Sequence, residues 1–203
     1  MAKAIEVLMN EHRLIERVLG SLETFATELE GGLSPERTLA TEYAAFFRGF
    51  ADACHHGKEE GVLFQRMIER GFPRDTGPIA VMLHEHRLGR QQVGALFQVG
   101  EGVGTPAAAE IALLLETAAV FIPLLRAHIL KEDRILYPMS ERLLTGPEMD
   151  AMETEFEAFE KAMREDGSCD RLTALAEKLL ASFPPDARRM AEAAQVAGCG
   201  VGR

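Results

Sequence analysis

The stretch HHGKEEGVLF, residues 55–64, combines two histidines and two glutamates with apolar residues at helical spacing. Ionisable side chains are costly to bury unless a partner compensates their charge. His56 and Glu60 are four residues apart, so on an α-helix their Cβ atoms lie ~5–6 Å apart on one face. That face also carries Phe64 and Met67. The spacing therefore predicts a buried His–Glu pair that shares a metal ion.

The same arrangement recurs along the chain. EHRL occurs at 11–14 and again at 85–88, and His128 and Glu132 follow His56 and Glu60 at one common offset. Each of four predicted helices thus carries a histidine on or beside its apolar stripe, and two of them add a glutamate. The predicted metal ligands are His12, His56, Glu60, His86, His128 and Glu132.

Apolar residues recur in steps of three and four, and no run of alternating residues indicates a strand. Gly31-Gly32, Gly71-Phe72-Pro73 and the loop at 100–104 separate the helical stretches. We predict an all-α fold: an up-down-up-down four-helix bundle over residues 1–145, with a C-terminal helical extension at 146–203 packed on it. Pro123 lies inside the fourth helix and predicts a kink.

The composition limits the partners and the cellular location that we expect for the protein. The 203 residues carry a net charge of −10, which argues against nucleic acid and anionic membranes as partners. The three cysteines form no CxxC pair, which fits a reducing cytoplasm. The charged N-terminus does not resemble a signal peptide. Since no uninterrupted run of ~20 apolar residues is present, we expect no transmembrane helix.

Each half of the repeat supplies two imidazoles and one carboxylate, so a pseudo-twofold bundle would bring together ligands for two ions. Imidazole with carboxylate suits iron, manganese or zinc, and the absence of thiolates disfavours a structural zinc site. The glutamates can bridge two ions ~3.5–4 Å apart. Iron is preferred because vacant positions suit O2, peroxide or NO; zinc and manganese are the alternatives.

EHRL, HHGKEEGVLF and RAHILKEDRILYP resemble the repeat of the hemerythrin-like, or HHE cation-binding, family over about residues 3–145. The resemblance implies a four-helix bundle holding two iron ions with an oxo or hydroxo bridge. Carried over by position, the ligands it implies are the six residues already named.

The sequence departs from the oxygen-carrying hemerythrins, which have a second histidine four residues before or after the one on the third helix. Met82 and Arg90 occupy those positions here. Their fourth helix uses an aspartate five residues after histidine, where this chain has Asp133; Glu132 is preferred because it matches Glu60. The resemblance thus implies a more open ion and favours peroxide decomposition or NO handling. An iron- or oxygen-sensing, or O2-binding, module without turnover is the alternative.

Other polar residues near the motifs have two interpretations each. His55 and His84 are predicted to face away from the site, with ligation as the alternative. Glu59 is predicted to be solvated, with a role as an extra bridge as the alternative. Glu11 and Glu85 either pair with nearby arginines or orient a ligating imidazole.

Three further residues are assigned to packing. Tyr43 and Tyr137 are predicted to be core residues, and the alternative is a hydrogen bond near a bound dioxygen species. Cys54 is predicted to be a small buried hydrophobic residue, and the alternative is a redox thiol.

Overall fold

A computed structural model describes residues 1–165 and 167–192, and these are almost entirely helical, without strands. The α-helices are α1 Lys3–Glu30, α2 Arg37–Phe46, α3 Phe64–Glu69, α4 Gly77–Gly100, α5 Ala108–Lys131, α6 Tyr137–Leu143, α7 Gly146–Glu165 and α8 Ser168–Ser182. Cys199 and the end of the last predicted helix lie outside the described residues, while 187–192 are helical.

Three π-helical segments extend the α-helices. Phe47–His56 and Glu59–Leu63 join α2 to α3, and Glu132–Leu136 joins α5 to α6. The chain therefore forms four long helical rods: α1, α2 to α3, α4, and α5 to α6. These rods pack as the predicted four-helix bundle, with α4 against α2 and α5, and α1 against α5. Helix α5 continues through Pro123.

The bundle has two apolar clusters with a layer of buried polar residues between them. Along α1, Ile5 and Leu8 belong to one cluster, His12 follows, and the residues from Ile15 to Leu29 belong to the other. Helix α4 repeats this order around His86. We call this middle zone the polar layer; its members are His12, His55, His56, Glu59, His86, His128 and Glu132.

The π-helical segments coincide with the polar layer. In a π-helix the hydrogen bond runs from residue i to i+5, so each turn holds more residues than an α-turn and the inward face shifts along the sequence. His55 and His56 end one such segment, and Glu59 and Glu132 begin the others. A periodicity of three and four residues therefore does not predict which side chains of these segments face the interior.

Helices α7 and α8 pack on the outside of the bundle, mainly against α1, α2 and the adjoining π-helical segments. The Lys58 ammonium, which is 0% exposed, reaches Glu160 on α7 at 3.0 Å. A Cβ at Gly57 would lie 2.9 Å from the Phe159 ring, so the glycine permits the close approach of α7. The division into domains at residue 145 stays a prediction.

One helix in the described residues, Ala108–Leu143, is long and apolar enough to cross a membrane by length and composition, with a mean hydropathy of 1.9 over an 18-residue stretch. Glu116 and Arg126 interrupt its apolar run, which is why no transmembrane helix was expected from the sequence. The core helix of a soluble protein can have the same length and composition. The helix also carries His128 and Glu132 into the polar layer.

Candidate metal centre

The polar layer divides into two groups of side chains that could hold metal ions. Within each group, one donor atom per residue lies within 4.8 Å of all the others. The two-histidine cluster contains His12, His55, Glu59 and Glu132, and the three-histidine cluster contains His56, Glu59, His86 and His128. All of these residues are buried, and Glu59 belongs to both clusters.

The two carboxylates lie between the two sets of imidazoles. Glu132 Oε2 is 3.4 Å from His12 Nε2 and 3.1 Å from His128 Nε2, so it contacts one histidine of each cluster. Glu59 Oε2 is 3.4 Å from His86 Nε2 and 3.8 Å from His55 Nε2. Both carboxylates are therefore placed to bridge two neighbouring cations.

The centre of the polar layer contains buried polar atoms without hydrogen-bond partners. They are His55 Nε2, Glu59 Oε2 and both carboxylate oxygens of Glu132. A buried polar atom without a partner is strongly unfavourable, and more so when it carries charge. Cations bound between these atoms would remove that cost, and the imidazole and carboxylate donors suit first-row transition metals. The residues present therefore fit a pair of metal ions.

Each histidine of the polar layer bonds a carboxylate through its outer nitrogen. The five pairs, with their Nδ1 to oxygen distances, are His12–Asp133 (2.7 Å), His55–Glu11 (2.9 Å), His56–Asp52 (3.2 Å), His86–Glu60 (2.7 Å) and His128–Glu85 (3.0 Å). We call the five acids the outer carboxylates. Such a partner fixes the ring orientation and the tautomer, so Nε2 stays available toward the centre.

Every outer carboxylate also forms an ion pair with a lysine or an arginine. The pairs are Asp133 with Arg13, Glu11 with Lys58, Asp52 and Glu60 with Arg90, and Glu85 with Lys131. The hydrogen bond with His86, and then the one with Arg90, lowers the pKa of Glu60 to about 2 despite partial burial. The pKa values of Glu11, Asp52 and Glu85 are lowered as well, so these four carboxylates stay ionised and hold their imidazoles in place.

Glu59 and Glu132, the two buried carboxylates between the clusters, favour the protonated form of neighbouring histidines. Burial disfavours charge on His12, but the neighbouring carboxylates of Asp133 and Glu132 raise its pKa to about 9. Burial likewise opposes charge on His86, and the neighbouring carboxylates of Glu132 and Glu59 raise its pKa to about 11. The polar layer is thus an environment that attracts cations, and metal ions compete with protons for it.

The structure brings five of the six sequence-predicted ligands into the clusters: His12, His56, His86, His128 and Glu132. Glu60 is not among them, because its carboxylate bonds His86 Nδ1 and Arg90 instead. Glu59 takes the inward place, since it begins a π-helical segment whose wider turn alters the α-helical phase.

His55 is the other inward residue that the sequence analysis assigned to the outside. It supplies a fifth imidazole. The sequence predicted only four imidazoles, with one ion missing a ligand, and the geometry differs from that expectation. The four-residue spacing of His55 and Glu59 equals that of His128 and Glu132, and this was the available signal. His84 is exposed, as expected, and Met82 lies in an apolar cluster.

Glu11, Glu85 and Asp133 belong to the outer carboxylates. Glu11 and Glu85 were predicted either to pair with nearby arginines or to orient imidazoles. In the structure they orient imidazoles, and the cations that they pair with are lysines and not arginines. Asp133, weighed as a metal ligand in place of Glu132, bonds the outer nitrogen of His12.

Tyr137 is part of the centre, whereas Tyr43 is not. The Tyr137 hydroxyl donates to Glu59 Oε1 at 2.7 Å and lies 3.3 Å from His12 Nε2. Burial, followed by the charges of Glu59 and Glu132, raises its pKa well above the ordinary value, so it stays protonated. Tyr43 is buried beside Phe25 and bonds the Ser21 hydroxyl.

Cys54 is a buried thiol outside both clusters. Its sulfur lies 3.9 Å from Glu11 Oε1. Burial raises the pKa of the thiol to about 12, although the nearby Lys58 ammonium acts in the opposite direction. The thiol is therefore neutral at physiological pH, which agrees with its assignment to packing.

Residues 3–140 match the family model described as the Hemerythrin HHE cation binding domain. Comparison with curated proteins and with solved structures gave no significant match. The matched residues contain every member of the polar layer and all five outer carboxylates.

Proposed function

The chain belongs to the hemerythrin HHE cation-binding family, and we propose that it is a non-haem di-iron protein that decomposes peroxide or handles NO. The observation that carries the proposal is the convergence of five imidazoles and two carboxylates on a centre with four unpartnered buried atoms. Glu59, which belongs to both clusters, and Glu132, which contacts one histidine of each, favour two ions over one.

The donor set favours iron, with zinc or manganese as the alternatives. Imidazole and carboxylate ligands suit all three metals, and no cysteine of the described residues contributes to either cluster. Two bound iron ions would supply a change of oxidation state and open positions for O2, peroxide or NO. The unequal clusters support different roles for the two positions, because an ion held by two imidazoles keeps more room for a small molecule.

The protein's own residues supply positioning and a proton donor. The five outer carboxylates hold the imidazoles, and the two apolar clusters on either side keep bulk water from the centre. Tyr137 places a protonated hydroxyl 3.3 Å from His12 Nε2, in the two-histidine cluster. This hydroxyl has one proton, which it donates to Glu59, so it can donate to an oxygen-containing molecule only in place of that bond.

The site of action and the partners are also part of the proposal. We place the protein in the cytoplasm, since Cys54 and Cys169 are both free thiols. Its partners would be O2, H2O2 or NO and not nucleic acid, which agrees with a net charge of −10.

Metal analysis with a peroxide assay tests the function. We expect about two iron ions per chain after anaerobic loading, and an absorption spectrum that changes when H2O2 is added. O2 release from H2O2, measured with an electrode, or NO consumption would support turnover. Zinc-loaded protein is the matched control, because it keeps the fold without a metal that changes oxidation state.

Iron-loaded protein that consumes neither H2O2 nor NO would overturn the proposed activity. Binding of only one iron per chain under saturating conditions would overturn the di-iron centre. These two results are independent, so the chemistry and the stoichiometry are tested separately.

A sensing module without turnover is the second candidate, and one chain of contacts favours it. His55 bonds Glu11, Glu11 pairs with Lys58, and Lys58 pairs with Glu160 on α7. A change at the two-histidine cluster would thus reach the C-terminal helices. Hydrogen exchange tests this: loss of protection confined to α7 and α8 on iron removal supports sensing, and uniform loss argues against it.

A further inference from the structure

A cavity of about 260 Å³ lies beside the three-histidine cluster. His56, His86 and His128 form one end of it, whereas the two-histidine cluster and the bridging glutamates contribute nothing to its wall. The cavity therefore adjoins the three-histidine side of the metal centre.

The wall of the cavity is mostly apolar. Besides Arg48, its charged members are Asp52 and Arg90, which pair with each other, and Glu85, which pairs with Lys131. Its apolar and small residues are Phe47, Ala51, Gly89, Val93, Phe121, Leu124 and Leu125. On α5 the cavity runs from His128 back to Phe121, and on α4 from Glu85 to Val93, which is seven and eight residues respectively. Seven α-helical residues span about 10 Å, so the cavity is elongated along the bundle axis.

Arg48 provides a cation on the wall of the cavity. It is exposed, and its guanidinium lies over the Phe97 ring at 4.8 Å from the ring centre. Within the described ranges 1–165 and 167–192 no carboxylate forms an ion pair with it, in contrast to Arg90, which pairs with Asp52 and Glu60. Arg48 is thus available to an anionic group on a ligand.

We propose that this cavity binds a medium-chain aliphatic carboxylate, with the carboxylate at Arg48 and the alkyl chain directed toward the three imidazoles. An apolar cavity of about 150 Å³ holds benzene, so by proportion about 260 Å³ accommodates roughly ten non-hydrogen atoms. Octanoate has that size. This binding site goes beyond the proposed function and requires neither peroxide nor NO chemistry.

Calorimetric titration of the metal-loaded full chain with octanoate tests the proposal, with octanol and acetate as comparison ligands. We expect one octanoate per chain, octanol about threefold weaker because it cannot pair with Arg48, and no measurable binding of acetate. Arg48→Met is expected to weaken octanoate about threefold and to leave octanol unchanged.

Gly89→Leu tests the location of the chain. Gly89 lines the cavity, and a leucine there removes contact with about two methylene groups, which weakens octanoate roughly tenfold. Gly94→Leu is the matched control: it lies on the same helix, gains the same helix propensity, does not line the cavity and has no heavy atom within 4 Å of an added Cβ. The Gly94→Leu variant should bind octanoate with the affinity of the wild type.

Circular dichroism establishes that each variant is folded. If Gly89→Leu does not fold, Gly89→Ala replaces it, because its Cβ meets only the Phe121 ring, at an ordinary 3.8 Å; a severalfold loss of affinity is then expected. Equal octanoate affinity in the folded Gly89 and Gly94 variants would overturn the proposal. So would acetate binding as tight as that of octanoate, which would place the carboxylate on the metal instead of Arg48.

Discussion

Glu59 and Glu60 are consecutive in the chain but have different roles in the metal centre. Glu59 belongs to both clusters and is fully buried. Glu60 bonds the outer nitrogen of His86 and the Arg90 guanidinium, and its side chain is 30% exposed. Glu59 is therefore placed to bind metal, whereas Glu60 orients a histidine that is placed to bind metal.

Glu59→Gln and Glu60→Gln are expected to differ in metal content. Because Glu59 is shared by the two clusters, its neutral variant should retain at most about one iron per chain at saturation. Glu60→Gln should still bind two, with affinity lower by about 10- to 100-fold, since only the orientation of His86 is affected. Metal analysis after dialysis at several iron concentrations measures both.

The opposite order would support the ligand set predicted from the sequence. If Glu60→Gln loses a whole iron and Glu59→Gln binds as the wild type does, then Glu60 is the ligand. Circular dichroism of both metal-free proteins serves as the control for folding.

His55→Ala is expected to remove about one metal ion per chain, because His55 is one of only two imidazoles in its cluster. His84→Ala is the matched control, since His84 is exposed on α4 and belongs to neither cluster. Its metal content should equal that of the wild type. Equal metal content in the two variants would exclude His55 as a ligand.

The bundle and most of the polar layer could be predicted because they depend on helical periodicity. His12, His86 and His128 lie on α-helices, where positions three and four residues apart share a face. Charged residues at apolar positions then indicate a compensated interior site. Glu132 could be predicted for the same reason, since it directly follows α5 and lies four residues after His128.

The inward-facing residues of the second rod, α2 to α3, could not be predicted in the same way. They depend on π-helical turns that the sequence pattern does not reveal. Both His55–Glu59 and His56–Glu60 have the four-residue spacing, and α-helical geometry cannot choose between them. The outer carboxylates are also recognised only in three dimensions. Glu11 reaches His55 across 44 positions of the chain.

Lys58→Met is expected to destabilise the protein by about 3 kcal/mol, because it removes the buried cation that Glu11 and Glu160 share. Lys178→Met is the matched control: Lys178 also links the C-terminal helices to the bundle, through Glu42, but its side chain is 57% exposed. A loss of less than about 1 kcal/mol is expected there. Urea unfolding measures both, and equal effects would contradict a special role for the buried pair.

Glu148→Gln tests how α7 is held at its first turn. The Thr145 hydroxyl and amide, followed by Arg70, lower the pKa of Glu148 to about 2 from 4.5. A lowered pKa stabilises the fold above the unfolded pKa, and this contribution is lost as the pH falls from about 4.5 to 2. In metal-free protein, the stability difference between wild type and variant should therefore be constant above about pH 5 and shrink through pH 4 and 3. Glu157→Gln, an exposed change on the same helix, is the control for the loss of one surface charge, and a difference that grows on acidification would contradict this expectation.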